Sequence, residues 1–304
     1  MLLRDLGEDG LIQRIRKQFQ DYGVVLGIGD DTAVLDIPEG HSVLFCSDLL
    51  AEDSHFIRGL HPPDSIGYKA VAVNVSDIGA MGGVPMHFVI SLAAPGDLEL
   101  EWVEGFYNGV ARACREFNVT LVGGDTSTAK SIFVDVAMVG CVRKGGAVRR
   151  SGAKPGDNIY VSGTLGASTR GLSQLRSGVR NDPAVERHLY PQPRHVNGAR
   201  AGLVAHAMID VSDGLSTDLG HILAESGVSA RIYKDKVPAA PGASDAEVLH
   251  GGEEYELIVV LPGTMEDALF KRIGEIIPSK EKHQILLVDG TIESVLEPKG
   301  WQHF

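Results

Sequence analysis

The chain has 304 residues, 43% hydrophobic and 22% charged, which is long enough to bury a large core and favours two domains over one. A formal net charge of -12 excludes a general nucleic-acid binder, which needs basic surface to neutralise phosphates. No apolar run approaches the roughly 18 residues that cross a bilayer, so no membrane partner is expected.

The N-terminal run MLLRDLGEDGLIQRIRKQF breaks its apolar stretch with charge at once, unlike a signal peptide. Leu11, Ile15 and Phe19 then follow at helical spacing. After Gly23 the pattern turns to short strand-like runs, VVLGIG, TAVLDI and SVLFCS. A helix is predicted from Asp64 to Met81, with Ser65 as its N-cap and Ile66, Ala70, Val73, Asp77 and Ala80 on one stripe. MHFVISLA reads as a strand, LELEWVEGFYNGVARACREF as an amphipathic helix, and VTLVGG and IFVDVAMVGCV as two strands, giving a β-α-β-α-β-β half.

The Gly-, Arg- and Pro-rich segment GGAVRRSGAKPGD marks a boundary. Beyond it, NIYVSG, AMIDVS, ARIY, YELIVVLP and QILLVD read as strands. ASTRGLSQLRSG, Leu215 to Ser226 and Glu266 to Ile276 read as helices, and NDPAVERHLYPQPRHVNG as an irregular stretch before a helix through Leu203. Strands and helices alternate in both halves, so the expected class is α/β or α+β. The three cysteines, Cys46, Cys114 and Cys141, have neither metal-ligand spacing nor an even count, which suits a reducing cytoplasm.

Familiar catalytic motifs are absent: there is no HExxH and no GxSxG, and GIGDDT lacks the third glycine of a dinucleotide fingerprint. GDTSTAKS (124–131) approaches a P-loop, but Ala129 replaces the second glycine and the β-branched IFVDVAMVGCV follows where a helix should begin. What recurs instead is aspartate beside Gly, Ser or Thr at strand ends: Asp30 and Asp31, Asp48, Asp125, and the pair Asp210 and Asp213. Any one of these is equally an ordinary turn or capping residue. Asp77 differs, because it lies on the buried stripe of a helix, where a lone carboxylate is costly unless it is paired. Hard oxygen donors without His or Cys suit Mg²⁺ bridging protein carboxylates and substrate phosphates. Bound cations would also offset part of the negative charge. Arg149 and Arg150 are candidate phosphate contacts, or else a solvated basic loop.

Taken in order, GIGDDTAVLD, CSDLLAEDSHF, YKAVAVNVSDIGAMGG, GGDTS, RRSGAKPGD, IDVSDGLSTDLGHI, HGGEEYEL and KGWQHF resemble the thiamine-monophosphate kinase family, across nearly the whole chain. The resemblance implies the two-domain aminoimidazole ribonucleotide synthetase-like fold. Residues 1–146 would be an N-terminal ATP/Mg-binding domain whose sheet forms a dimer barrel, and residues 147–304 a C-terminal α/β domain. It also implies ATP-dependent phosphorylation of thiamine monophosphate to thiamine diphosphate by a cytoplasmic homodimer.

Carried over by position, the magnesium ligands would be Asp31, Ser47, Asp48, Asp77, Asp125, Asp210 and Asp213. Gly124, Asp125, Arg150 and Ser212 would meet the nucleotide, and His55, Glu253 and Trp301 the thiamine monophosphate. Cys46 stands where the family often has Ser, and Gly146 where Arg is common, which leaves Arg150 the better phosphate contact. The alternatives are another ATP-using superfamily member, such as selenophosphate synthetase or a purine-pathway synthetase, and a non-catalytic dimeric nucleotide binder. The first of these lacks its reactive cysteine in the early N-terminal segment here.

Overall fold

The structure, a computed structural model, describes residues 1–19, 24–28, 32–279 and 282–302. Two compact units emerge: Met1–Ile78 with Val84–Gly145, and Gly79–Gly83 with Gly146–Phe304.

The first unit begins with α1 (Leu3–Gln18), kinked at Gly7, and continues β1 (His41–Ala51), α2 (Pro63–Ala80), β2 (Val84–Ala94), α3 (Leu100–Phe117), β3 (Thr120–Thr128) and β4 (Phe133–Arg143). The four strands form one sheet in the order β1-β4-β2-β3. β2 and β3 are parallel because α3 carries the chain back between them, whereas β4 runs antiparallel to both β1 and β2. α3 buries Val103, Phe106, Tyr107, Val110, Ala113 and Phe117, a stripe at three- and four-residue spacing, and ends at Asn118 in the left-handed conformation. α2 is buried almost all round, and from Val71 to Ala80 only Asp77 is not fully buried.

The second unit contains β5 (Asn158–Ser162), α4 (Ala167–Arg176), α5 (Pro183–Leu189), α6 (His195–Ala201), β6 (Ala207–Asp210), α7 (Leu215–Ser226), β7 (Val228–Tyr233), α8 (Asp245–His250), β8 (Leu257–Leu261), β9 (Phe270–Pro278), β10 (Ile285–Asp289) and β11 (Ile292–Val295). Its seven-stranded sheet has the order β11-β10-β7-β9-β5-β8-β6 and is antiparallel except where β10 meets β7. Alternate residues feed two cores, Ile159, Ile209, Ile258 and Val260 on one face and Tyr160, Met208 and Val259 on the other. Both faces are therefore covered, which explains why β8 is apolar throughout.

Four expectations fail on physical grounds. The helix predicted over Glu266 to Ile276 is the strand β9. Ile159 pairs with Gly274 and Tyr160 with Arg272, so Ile273 is an extra residue in a bulge, and Phe270, Ile273 and Ile276 acquire a false helical spacing. The stretch expected to be irregular contains α5, started by Pro183 and by Asp182, whose side chain accepts from the Ala184 N–H at 2.8 Å. VVLGIG and TAVLDI form no named strand among their described residues, and meet at an isolated bridge between Leu26 and Val34. Ser65 is not the N-cap of α2: the helix starts at Pro63, and the Ser65 hydroxyl donates to the Pro62 carbonyl at 2.7 Å. No helix among the described residues is long and apolar enough to cross a membrane.

Candidate functional site

In the first unit, the residues of β1 alternate between exposed Phe45, Ser47 and Leu49 and half-buried Cys46 and Asp48. The half-buried face meets α2, where the Cys46 Sγ lies 3.5 Å from Asn74 Oδ1. One helical turn along, Asp77 forms a side-chain hydrogen bond with Asp48. Burial, with the nearby charge of Asp135, raises the Asp48 carboxyl above its ordinary range, although the bond to Asp77 opposes this. Two carboxylates at hydrogen-bonding distance need a proton or a cation between them, and oxygen-only donors fit a hard divalent cation. Ser47 lies on the opposite face of β1, and its hydroxyl donates to Asp135 Oδ1 at 2.8 Å. Asp31, and Asp30 beside it, lie outside the described residues.

A cavity of about 730 Å³ opens in the same unit against β2 and β3, lined by Ile90, Gly124 and Asp125, with Tyr107 from α3 and Ile12 and Ile15 from α1. Gly124 is dictated by the sheet: a Cβ there would stand 2.0 Å from the Ile90 carbonyl oxygen. β3 runs through GDTSTAKS as far as Thr128, and β4 follows, so this segment is not a P-loop. Burial keeps the Tyr107 phenol protonated by pushing its pKa up, so its hydroxyl is a donor on a cavity wall of mixed character. His55 sits in the turn after β1, where its Nδ1 accepts the Ala51 N–H at 3.0 Å. That bond places the ring proton on Nε2.

In the second unit, β6 ends at buried Asp210, and the turn Val211-Ser212-Asp213-Gly214 leads into α7. Two distant segments are bonded to this turn. The N–H of Glu253 donates to the Ser212 carbonyl at 2.7 Å, and the N–H of Trp301 donates to the Asp213 carbonyl at 3.1 Å. Glycine permits both approaches, since a Cβ on Gly252 would meet Ser212 O at 2.5 Å and one on Gly300 would meet Asp213 O at 2.1 Å. Ser212, Asp213, Glu253 and Trp301, far apart in sequence, are thus neighbours, with Trp301 52% exposed.

Asp218, one turn into α7, accepts the N–H groups of Asp213 at 3.0 Å and Gly214 at 2.9 Å. Burial, then the charges of Asp210 and Asp213, push its carboxyl up to about 8. Ligand atoms of Asp213, Asp218 and His221 all lie within 4.8 Å of one another. Arg150 is exposed, and its carbonyl accepts from Ser226 Oγ at 3.2 Å, at the far end of α7 from Ser212. A 12-residue helix is about 18 Å long, so the Arg150 carbonyl and Ser212 lie at opposite ends of α7.

Sequence reasoning missed Asp135, Tyr107 and Asp218. Asp135 alternates with valines in β4 and reads as an ordinary solvent-facing strand position. Tyr107 reads as core of an amphipathic helix. Asp218 gave a usable signal, because an acid in the first turn of a helix after a turn of acids is positioned to bind the turn's amides.

Residues 29–142 match the AIR synthase related protein, N-terminal domain, and residues 154–277 the AIR synthase related protein, C-terminal domain. The thiamine-monophosphate kinase of Aquifex aeolicus (strain VF5) is 37% identical over 321 residues, covering 100% of both chains. Among solved structures, AaThiL complexed with AMPPCP and TMP is 36% identical with a TM-score of 0.80, covering 100% of this chain and 99% of that one. The thiamine-monophosphate kinase from Stenotrophomonas maltophilia K279a is 34% identical with a TM-score of 0.81, covering 90% of this chain and 95% of that one. On this whole-length likeness, together with the two-domain fold, the chain belongs to the thiamine-monophosphate kinase family.

Proposed function

We propose that the protein transfers the γ-phosphoryl of ATP directly, in line, to thiamine monophosphate, giving thiamine diphosphate and ADP, the last step of thiamine diphosphate synthesis. The observation that carries this reading is the Asp48–Asp77 carboxylate pair in a chain alike from end to end to a thiamine-monophosphate kinase. The complex of AaThiL with AMPPCP, an ATP analogue, and TMP supports the choice of substrates.

In the first unit Ser47, Asp48, Asp77 and Asp125 are assigned to Mg²⁺, as is Asp31 from the sequence; Gly124 and Asp125 are assigned to the nucleotide, with Tyr107 on the wall of the same cavity. His55 would offer its Nε2–H to the substrate phosphate. In the second unit Asp210 and Asp213 are assigned to Mg²⁺, Ser212 and Arg150 to the nucleotide, and Glu253 and Trp301 to the thiamine moiety. An exposed indole suits a cationic thiazolium, and a carboxylate suits its charge.

The acceptor phosphate is already ionised, so no side chain need act as a base. The difficulty is the approach of two anions. Mg²⁺, when bound, supplies neutralisation and alignment; the protein's part is to hold fixed oxygen ligands and a guanidinium at set positions. None of the aspartates is assigned as a nucleophile. The homodimer is supported by β1, a sheet edge that exposes Val43, Phe45 and Leu49. Three free cysteines suit a reducing cytoplasm.

Incubation of the purified protein with ATP, Mg²⁺ and thiamine monophosphate should yield thiamine diphosphate and ADP in equal amounts. Activity should disappear with EDTA and return with excess Mg²⁺. Tight ATP binding without turnover would instead identify a non-catalytic nucleotide binder.

A further inference from the structure

The segment 253–256 is held in an unusual backbone: Glu253 and Tyr255 both have positive φ, at 60° and 53°. Non-glycine residues adopt this conformation only where neighbours impose it. Main-chain bonds to Val211 and Ser212 hold the segment from one side, and α4 and α5 from another. Ser168 donates its N–H to Glu254 Oε1 at 2.9 Å, and Arg187 donates to the Glu254 carbonyl at 3.0 Å and to the buried carboxylate of Glu256.

Beside Arg187 on α5 lies His188, whose side chain is 1% exposed. Its Nδ1 is 3.0 Å from the hydroxyl of fully buried Ser168 and 3.4 Å from Oε2 of Glu253. A carboxylate only accepts, so His188 holds Glu253 when Nδ1 carries a proton, and the Ser168 hydroxyl is then an acceptor on the same nitrogen. In this trio Glu253 alone reaches the surface, its side chain 29% exposed. The chain of contacts therefore starts in the core and ends on a carboxylate that faces outward.

We propose that Ser168 and His188 are positioning residues that aim the Glu253 carboxylate at the thiamine moiety and thereby set affinity for thiamine monophosphate. This rests on the reading that Glu253 meets that substrate. A glutamate on an unsupported loop would lose orientation on every encounter; one fixed from a rigid helix pair is preorganised before substrate arrives. The effect belongs in KM for thiamine monophosphate, because neither residue is assigned to ATP or metal.

The test is steady-state kinetics of the full chain with ATP and thiamine monophosphate varied separately. His188→Leu should raise KM for thiamine monophosphate about tenfold and leave KM for ATP unchanged. His188→Asn keeps an N–H near the Nδ1 position and should restore most of the affinity. Ser168→Ala, a milder change that serves even if His188→Leu fails to fold, should raise the same KM about threefold. Glu253→Gln should raise it as well, and His188→Leu combined with Glu253→Gln should be no worse than Glu253→Gln alone.

If Glu253→Gln weakens the substrate while Ser168→Ala and His188→Leu do not, the positioning role is wrong and the site reading stands. If Glu253→Gln leaves KM unchanged, the site reading fails and the positioning role with it. Equal rises in both KM values for the His188 variant would reveal a merely structural histidine.

Discussion

Asp48 and Asp77 come from a strand and a helix separated by a turn, and their carboxylates meet because β1 lies across α2 with Asn74 beneath Cys46. Without a cation the pair is held by a hydrogen bond, which requires a shared proton that a cation would displace. Asp77→Asn should lower turnover by about 100-fold or more, as loss of a group that organises charge commonly does. It should leave the melting temperature of the metal-free protein little changed, since the amide can still donate to the Asp48 carboxylate; near-normal turnover at limiting Mg²⁺ would count against the assignment.

Glu254 is fully buried, with one carboxylate oxygen lacking a hydrogen-bond partner, and burial pushes its pKa up to about 7. A group whose pKa rises on folding holds its proton more tightly when folded. Its contribution is complete below its unfolded value and is lost as pH climbs to about 7. Denaturant melts should therefore show stability falling between pH 5 and pH 7, with a shallower fall in Glu254→Gln; an unchanged slope would refute the account. At this scale the sequence was informative where an acid sat beside glycine or serine at a strand end. It was silent on Asp135 and His188, because their partners lie on other elements.

From β1 to β4 the elements of the first unit were legible, α3 by its clean amphipathic period, and β-α-β-α-β-β is the order found. β9 was misread because a bulge at Ile273 replaces the two-residue period with a three-residue one, and nothing in the segment itself reveals its partner β5. α8 was overlooked although Ser244 and Glu247 form a capping box that four letters of sequence spell out.

β1 bears on function through its edge. Phe45 is 71% exposed on a strand paired on one side only, next to Val43 and Leu49, a surface that a soluble protein covers or blunts with charge. Phe45→Glu should convert a dimer into monomers by sedimentation velocity. A wild-type chain that sediments as a monomer at micromolar concentration would remove the dimer from the account.

Over the whole molecule, the notable feature is how residues tens of positions apart in sequence are tied to a single turn. The 211–214 turn receives Glu253 and Trp301 through main-chain bonds, and glycines at 252 and 300 make the approach possible. The motif order across the chain made this grouping readable as a family resemblance, but no local pattern shows that HGGEEYEL and KGW meet at DVSDG. The kinase reading requires that one phosphoryl group pass between two substrates without resting on the protein. Transfer from ATP made chiral at the γ-phosphorus with oxygen isotopes tests this most directly. The account predicts inversion of configuration in the thiamine diphosphate formed; retention, or ADP release with no label reaching thiamine monophosphate, would contradict it.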